Sequence, residues 1–210
     1  MKRKLLSLGA AILFVTGSQA QTEFGLEGGV NFSTCDCAKS EKLDRTESTV
    51  GFYAAAYLDT RIAPVVYFHP QVSLQRKGGK LIESESSGGG EIIQKTTWLD
   101  LSLNFLGKVP IGRVNNVFAG AGPYLGFGMD GTGTSTYSNG SNAPTVILHN
   151  DNALKSFDYG INFLAGVKVW KRFSLKAHYR VGMVNIAEEK YKWSDNIKNR
   201  VFSLGIGVAL

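Results

Sequence analysis

Three histidines are the residues of this chain best suited to general-base chemistry: His69, His149 and His178. Hydrolysis or transfer of an acyl group needs a nucleophile, a base and an orienting group held together. Ser73 shares the strand parity of His69, but four residues of extended chain separate the two by roughly 13 Å, too far for a hydrogen bond. The sequence also lacks a Gly-x-Ser-x-Gly elbow. We therefore expect no catalytic residue and a protein that is not an enzyme.

The two cysteines, Cys35 and Cys37, are separated by one residue in a polar segment. A C-x-C pair can form a strained local disulfide, pair between molecules, or coordinate a soft metal with ligands from elsewhere. No His/Cys cluster completes a zinc site. The simplest interpretation is a pair of loop thiols without an essential role, so no metal and no cofactor is predicted.

The elements that must position these residues show a two-residue hydropathy period. In the last segment, bulky apolar residues at 202, 204, 206, 208 and 210 alternate with Ser, Gly, Gly and Ala, which is typical of a strand with one apolar face. Eight such segments are predicted: 22–32, 49–59, 65–77, 96–106, 116–129, 156–169, 173–186 and 200–210. Their usual length suits a tilted strand that crosses a bilayer.

The connections between these segments alternate in length. Those at 33–48, 78–95, 130–155 and 187–199 are long, whereas those at 60–64, 107–115 and 170–172 are short. Long outer loops and short periplasmic turns are the pattern of outer-membrane barrels, and an even strand count leaves no open edge. The sequence therefore predicts an all-β fold, an eight-stranded antiparallel up-and-down transmembrane β-barrel similar in size to OmpA and OmpX.

The N-terminus has the layout of a cleaved secretory signal. Lys2, Arg3 and Lys4 precede an apolar stretch too short to span a membrane, and small residues end at Ala20. We expect cleavage after Ala20, with residues 21–210 forming the barrel in the outer membrane. Without the signal the chain keeps 20 basic against 17 acidic residues, a small excess that does not indicate a nucleic-acid partner.

Polar residues share their parity with the glycines, as in a narrow, filled lumen. On this parity eight charged residues face inward: Glu27, Asp59, Asp100, Asp158, Lys77, Lys168, Lys176 and Arg180. We interpret them as a salt-bridge network that plugs the barrel, because buried charges need partners. A small ion or solute path is the alternative. A wide, porin-like pore is not expected, since side chains fill an eight-stranded interior.

Aromatic residues suggest two kinds of surface contact. Four are predicted near the membrane interfaces, where amphipathic rings prefer to lie: Trp98, Tyr124, Tyr159 and Trp170. A basic-aromatic cluster stands in the last long loop: Lys190, Tyr191, Lys192 and Trp193. This cluster is a candidate contact for anionic lipopolysaccharide or for a protein partner, and a solvated loop tip is the alternative.

Five segments carry a resemblance to a known family: 29–33, 68–78, 119–126, 157–160 and 179–186. At these segments the sequence resembles the Bacteroidetes-type outer-membrane β-barrel domain family, the PorT-like group. The resemblance covers nearly the whole chain after Ala20 and implies an outer-membrane barrel; it also implies a possible link to secretion. One departure is Leu210, because such barrels commonly end on an aromatic residue.

These observations favour a structural or surface-interaction barrel. Outer-membrane lipid and lipopolysaccharide are its expected partners, with a possible protein partner bound through the loops at 33–48 and 130–155. Two alternatives stay open: an accessory component of a secretion or transport system, and a lipid-modifying outer-membrane enzyme.

Overall fold

The computed structural model describes residues 22–37, 43–83, 90–112, 115–137, 146–147, 155–170, 172–186 and 197–210. Within them it forms ten β-strands. The strands are β1 (Thr22–Cys37), β2 (Leu43–Glu47), β3 (Thr49–Arg61), β4 (Val66–Glu83), β5 (Gly90–Ile111), β6 (Asn115–Tyr137), β7 (Val146–Ile147), β8 (Phe157–Val169), β9 (Phe173–Gly182) and β10 (Ile197–Ala209). In the described part of the chain, no helix has the length and apolar character needed to cross a membrane.

Eight of these strands close into an antiparallel barrel. Their order is β3-β1-β10-β9-β8-β6-β5-β4, and β4 pairs with β3 to complete the circle. The seam joins the ends of the chain, since β1 pairs with β10 from Gly25↔Ala209 to Cys37↔Ile197. Short β2 pairs with β4, and β7 pairs with β6. This closed sheet confirms the predicted fold.

The alternation of side chains gives the barrel a polar inside and an apolar outside. On β8, Phe157, Tyr159 and Ile161 are exposed, whereas Asp158 and Asn162, which have the opposite parity, are fully buried. This arrangement inverts that of a water-soluble protein. It is stable where the outer surface meets hydrocarbon and the closed sheet satisfies every backbone hydrogen bond.

The strands at one end of the barrel are longer than predicted. The segment 78–95, expected to be a loop, is largely strand: β4 continues to Glu83 and β5 begins at Gly90. Strand β6 likewise reaches Tyr137. Among the side chains that the structure describes, the exposed apolar residues of β5 and β6 end at Leu99 and Met129 on this side, and backbone pairing continues beyond them. We call residues 78–83, 90–97 and 130–137 the loop-end extension; the opposite end, with the short turns, is the turn end.

Two other predicted connections also change. Cys35 and Cys37, expected in a loop, lie in β1, where their backbones pair with those of Asn199 and Ile197. The turn predicted at 107–115 is shorter, because β5 continues to Ile111 and β6 begins at Asn115. The predicted contact residues Lys190, Tyr191, Lys192 and Trp193 lie outside the described residues.

Candidate functional site: the barrel lumen

The centre of the lumen contains one carboxylate with four donors. Glu27 Oε1 accepts hydrogen bonds from Tyr53 Oη at 2.5 Å and is hydrogen-bonded to His178 Nε2 at 2.7 Å. Its Oε2 accepts from Gln71 Nε2 at 3.1 Å and Lys176 Nζ at 2.9 Å. We call these five residues the Glu27 cluster. They come from β1, β3, β4 and β9, and the cluster therefore ties together strands far apart in the sequence.

The Glu27 cluster is electrostatically balanced although it is buried. The carboxylate faces the ammonium of Lys176, and that ammonium also lies 3.4 Å from the centroid of the Tyr57 ring. Tyr57 stacks on His69 at 4.8 Å between centroids. Buried charges are tolerated when they are paired and hydrogen-bonded, and both conditions hold here. Inward parity on β1 and β9 points both charged side chains into the lumen, and the stagger of the strands brings them to the same level.

A second ion pair fills the lumen nearer the loop end. Lys77 Nζ lies 3.0 Å and 2.8 Å from the two carboxylate oxygens of Asp100. The ammonium also lies 5.1 Å from the Trp98 ring and 5.4 Å from the Tyr124 ring. Arg180 Nε approaches Asp100 Oδ2 to 3.9 Å, an ion-pair distance but too long for a hydrogen bond. We call Lys77, Asp100 and Arg180 the Asp100 cluster.

Asp158 lies beside this cluster. Its Oδ2 accepts hydrogen bonds from Tyr124 Oη at 3.0 Å and Asn199 Nδ2 at 2.9 Å. Its partners are thus neutral donors, unlike those of Asp100. The three strands β6, β8 and β10 contribute one residue each to this group.

The turn end contains two further ion pairs. Lys108 Nζ contacts Asp59 Oδ2, and His69 Nδ1 lies 3.7 Å from the other oxygen of Asp59. Lys168 Nζ lies 2.6 Å and 2.5 Å from the carboxylate oxygens of Glu23. The lumen is therefore lined with paired charges from its turn end towards its loop end.

Of the eight charged residues that the parity placed inside, the structure brings together Glu27 with Lys176, and Asp100 with Lys77 and Arg180. Asp59, Lys168 and Asp158 contact residues outside that set, several of which the sequence reasoning missed. Lys108 was hidden in a segment expected to be a turn, and Glu23 was not singled out although it shares the parity of Glu27. Tyr53 and Tyr57 were also missed; both lie at odd positions of β3, as does Asp59, so the parity itself was the signal that could have found them.

Two of the predicted interfacial aromatics are wrong. Trp98 and Tyr124 are 0% and 1% exposed and lie in the lumen, because even positions of β5 and β6 point inward. Trp98 Nε1 donates a hydrogen bond to Thr96 Oγ1 at 2.8 Å, and Tyr124 Oη donates one to Asp158 Oδ2. Tyr159 and Trp170, at 48% and 68% exposed, are on the outer surface as predicted. The aromatic character of Trp98 and Tyr124 suggested the membrane interface, but the two-residue period of their strands points both side chains into the lumen.

Within the described strands, the two histidines of the lumen have no hydroxyl partner. Among the described residues, no serine or threonine hydroxyl is hydrogen-bonded to the ring of His69 or His178. The same part of the chain contains no group of three or more His, Cys, Asp or Glu side chains placed to hold a metal ion. What the arrangement does chemically is neutralise buried charge and occupy space.

Several solved structures are similar to this chain. The crystal structure of OprG from Pseudomonas aeruginosa is 12% identical with a TM-score of 0.48, covering 92% of this chain and 98% of that one. Neisserial surface protein A is 16% identical with a TM-score of 0.47, covering 88% and 96%. Ail of Yersinia pestis, in complex with the heparin analogue sucrose octasulfate, is 14% identical with a TM-score of 0.44, covering 90% and 99%.

A comparison with curated proteins found no match. The profile of one protein family, however, matches residues 18–188, which is most of the chain. That family is described as outer membrane protein beta-barrel domain. Together with the closed eight-stranded sheet and its apolar outer face, this match shows that the chain belongs to the outer-membrane β-barrel domain family.

Proposed function

We propose that this protein is a non-enzymatic outer-membrane barrel with a plugged lumen, which stabilises the membrane and makes contacts at the cell surface. The observation that carries the proposal is the loop-end extension. Strand pairing continues from Lys95↔Thr132 to Gly90↔Tyr137, beyond Leu99, which is the exposed apolar residue of β5 nearest the loop end among the described side chains. Paired strands outside the apolar band form a rigid surface, which suits recognition better than transport.

The contents of the lumen support the plugged state. Side chains of the Glu27 cluster and the Asp100 cluster are buried at successive levels, and bulky rings such as Tyr53, Tyr57 and Trp98 lie among them. An eight-stranded barrel has an interior that side chains just fill. A solute wider than water would have to displace paired charges, which is strongly unfavourable in a buried site.

The partner that we propose is lipopolysaccharide or a surface protein. The described side chains at this end include the exposed Lys95, Asp130 and Thr132, and polar groups are what a headgroup or a hydrated protein surface would contact. The basic-aromatic cluster at residues 190–193 stays a predicted contact for anionic lipopolysaccharide or for a protein partner. Orientation follows the usual pattern, in which the short turns face the periplasm.

We also infer that residues 1–20 are a signal peptide cleaved after Ala20 and that residues 21–210 form the mature barrel. Mass measurement of the mature N-terminus tests this directly. Membership of the PorT-like group, with its implied link to secretion, is a finer proposal that rests on the sequence resemblance alone.

Site-specific photo-crosslinking in intact cells tests the surface role. A photoreactive residue replaces Lys95 or Thr132 in the extension, and the matched control carries it at Phe105, an exposed position within the apolar band. We expect adducts with lipopolysaccharide or a surface protein at the first two positions and with acyl chains at the control. Identical adduct patterns at all three positions would contradict the proposal.

Two outcomes separate the alternatives. Adducts with components of a secretion system would assign the accessory role instead of a structural one. A change in the lipid A mass spectrum on deletion, restored by the wild-type gene but not by a His178→Ala variant, would reveal an enzyme.

A further inference from the structure

The charged residues of the connections are divided unevenly between the two ends of the barrel. The four long connections that the sequence delimits contain twelve acidic against nine basic residues. The three short connections contain no acidic residue and five basic ones: Arg61, Lys108, Arg113, Lys171 and Arg172. The positive excess of the chain after Ala20 therefore comes from the turn end.

The acidic side chains at the turn end do not neutralise this excess. Glu23 and Asp59 lie at this end, and each already has a lysine partner inside the lumen. Arg61 and Arg172 are exposed, and within the described ranges neither of them forms an ion pair with a carboxylate. Both guanidinium groups are thus available to an anion from outside the protein.

The Arg61 guanidinium is positioned by its own turn. Its Nε donates to the carbonyl oxygen of Ala63 at 3.3 Å, and its Nη2 donates to that of Pro64 at 3.0 Å. Carbonyl oxygens satisfy these two donors without cancelling the charge, and a guanidinium has five N–H donors in all. The remaining donors can form the bidentate hydrogen bonds that arginine makes with phosphate.

Each of the three turns also has an exposed apolar residue beside its basic residue. Ile62 directly follows Arg61, and Trp170 lies two residues before Arg172; both apolar side chains are more than half exposed. In the remaining turn, Ile111 is exposed as well, and the sequence has a basic residue two positions later. A surface that contacts only water or a hydrophilic polymer gains nothing from these apolar groups.

Trp170 is held in place by the neighbouring hairpin. Its φ of 51° lies in the left-handed region, which a bulky residue adopts only where other contacts hold it there. Asn115 Oδ1 accepts a hydrogen bond from the Trp170 backbone N–H at 3.2 Å, so the first residue of β6 fixes the turn between β8 and β9. The indole ring is therefore presented outward at a defined position.

The combination of groups identifies the occupant. Tryptophan and isoleucine side chains at the edge of the apolar band suit the level of the lipid headgroups, where amphipathic rings prefer to lie. Basic residues at that level attract anionic lipids rather than zwitterionic ones, because only the former carry net charge. An acidic soluble protein or the cell-wall polymer would use the charges but not the apolar side chains.

We propose that the turn end binds the phosphate groups of anionic phospholipids through Arg61, Arg172 and the other unpaired basic residues of the short turns. This surface lies at the opposite end from the loop-end extension. The proposed orientation makes it the periplasmic leaflet that supplies these lipids, and the naming of that leaflet rests on the proposed function. The preference for anionic lipid does not.

Crosslinking to defined lipids tests the proposal on protein purified from outer membranes. The barrel is placed in phosphatidylethanolamine vesicles with a trace of phosphatidylglycerol or phosphatidylethanolamine, both carrying the same photoreactive acyl chain, and adducts are located by peptide mass spectrometry. On peptides covering 60–66 or 168–173 we expect phosphatidylglycerol to be favoured roughly threefold or more. Sodium chloride at about 0.5 M should at least halve that preference, since it screens exposed charges.

Matched variants assign the preference to the turns. Arg61→Gln, Arg172→Gln should bring the ratio of the two lipids at the turn end close to one, whereas Arg61→Lys, Arg172→Lys should keep the preference. The control is Arg76→Gln, Lys95→Gln, which removes two exposed charges from the loop-end half and should leave the turn-end ratio unchanged. If the glutamine double variant does not fold, Arg172→Gln alone and the salt response of the wild-type protein decide.

Three results would overturn the proposal: no preference in the wild-type protein, a preference that survives the loss of both arginines, or an equal fall in the control. Saturable binding of a soluble peptidoglycan fragment without any lipid preference would assign the basic turns to the cell-wall polymer instead. The vesicles contain neither lipopolysaccharide nor surface proteins, so these outcomes are independent of the surface role and of the orientation in the cell.

Discussion

The Tyr53 ring lies directly against Gly205, and a Cβ atom built on Gly205 would be 2.0 Å from Tyr53 Oη. The same hydroxyl donates to Glu27 Oε1. The absence of a side chain at Gly205 on β10 therefore leaves the space in which a β3 tyrosine reaches the central carboxylate. The contact links a residue of the barrel seam to the charge network in the lumen.

Gly205→Ala should consequently destabilise the barrel. The added methyl group forces Tyr53 away from Glu27, and overpacking of this kind costs about 1–3 kcal/mol. Urea unfolding in phospholipid vesicles measures the change. The matched control is Gly28→Ala on the neighbouring strand, where the nearest atom to a new Cβ is 3.7 Å away; its effect should stay within about 0.5 kcal/mol. Equal losses in the two variants would refute this account.

Removing the central carboxylate should be more severe. Glu27→Gln leaves Lys176 as an unpaired buried charge, and breaking a buried pair from one side costs about 3–5 kcal/mol. The double variant Glu27→Gln, Lys176→Met should recover part of that loss, because it removes both charges. The control is Glu23→Gln at the turn end, where the side chain is 35% exposed and the expected loss is about 1 kcal/mol or less. Unfolding titrations of all three variants measure these changes. If the double variant were the least stable, the predicted pairing of Glu27 with Lys176 would be wrong.

The apolar band should respond to charge according to depth. Phe105→Arg puts a guanidinium in the middle of the exposed apolar residues of β5, and such changes cost about 2–4 kcal/mol near the bilayer midplane. Thr132→Arg in the loop-end extension should cost almost nothing. Comparing the unfolding free energies of the two variants in vesicles checks where the membrane lies. If Thr132→Arg lost as much stability as Phe105→Arg, the loop-end extension would lie inside the membrane, which contradicts the prediction.

A plugged lumen should not conduct. Because paired charges and rings occupy the interior, purified protein in planar bilayers should give no steady unitary currents, and vesicles containing it should swell in small sugars no faster than empty vesicles. Steady currents that scale with the amount of protein would show that the lumen conducts ions and would contradict the plugged state.

Sequence reasoning reached the strand number, the closure and the inward parity because a two-residue period is a local signal that survives in a single chain. It could not place the strand ends. The segment 78–95 was predicted to be a loop because of its Ser86–Gly90 run, but residues 80–83 and 90–95 on either side of that run pair as strand between β4, β5 and β6. Lys108 was missed for the same reason, since it lies beyond the predicted end of its strand.

The side-chain contacts across the lumen could not be predicted from the sequence. That Glu27 should receive Lys176, or that Tyr53 should fit against Gly205, depends on the stagger of strands around the barrel, which hydropathy does not encode. Trp98 and Tyr124 illustrate the cost of trusting residue type: their aromatic character suggested an interface, while the parity of Asp100 beside one of them already indicated the interior.

The seam between β1 and β10 has a consequence for how the protein is assembled. Gly25 must wait for Ala209, a partner far along the chain. Until then the first strand exposes a row of unsatisfied backbone donors and acceptors, the kind of edge that recruits foreign strands. Contacts between residues so distant along a chain form slowly. The pairing of β10 with β1 is therefore the step that closes the barrel and removes this exposed edge.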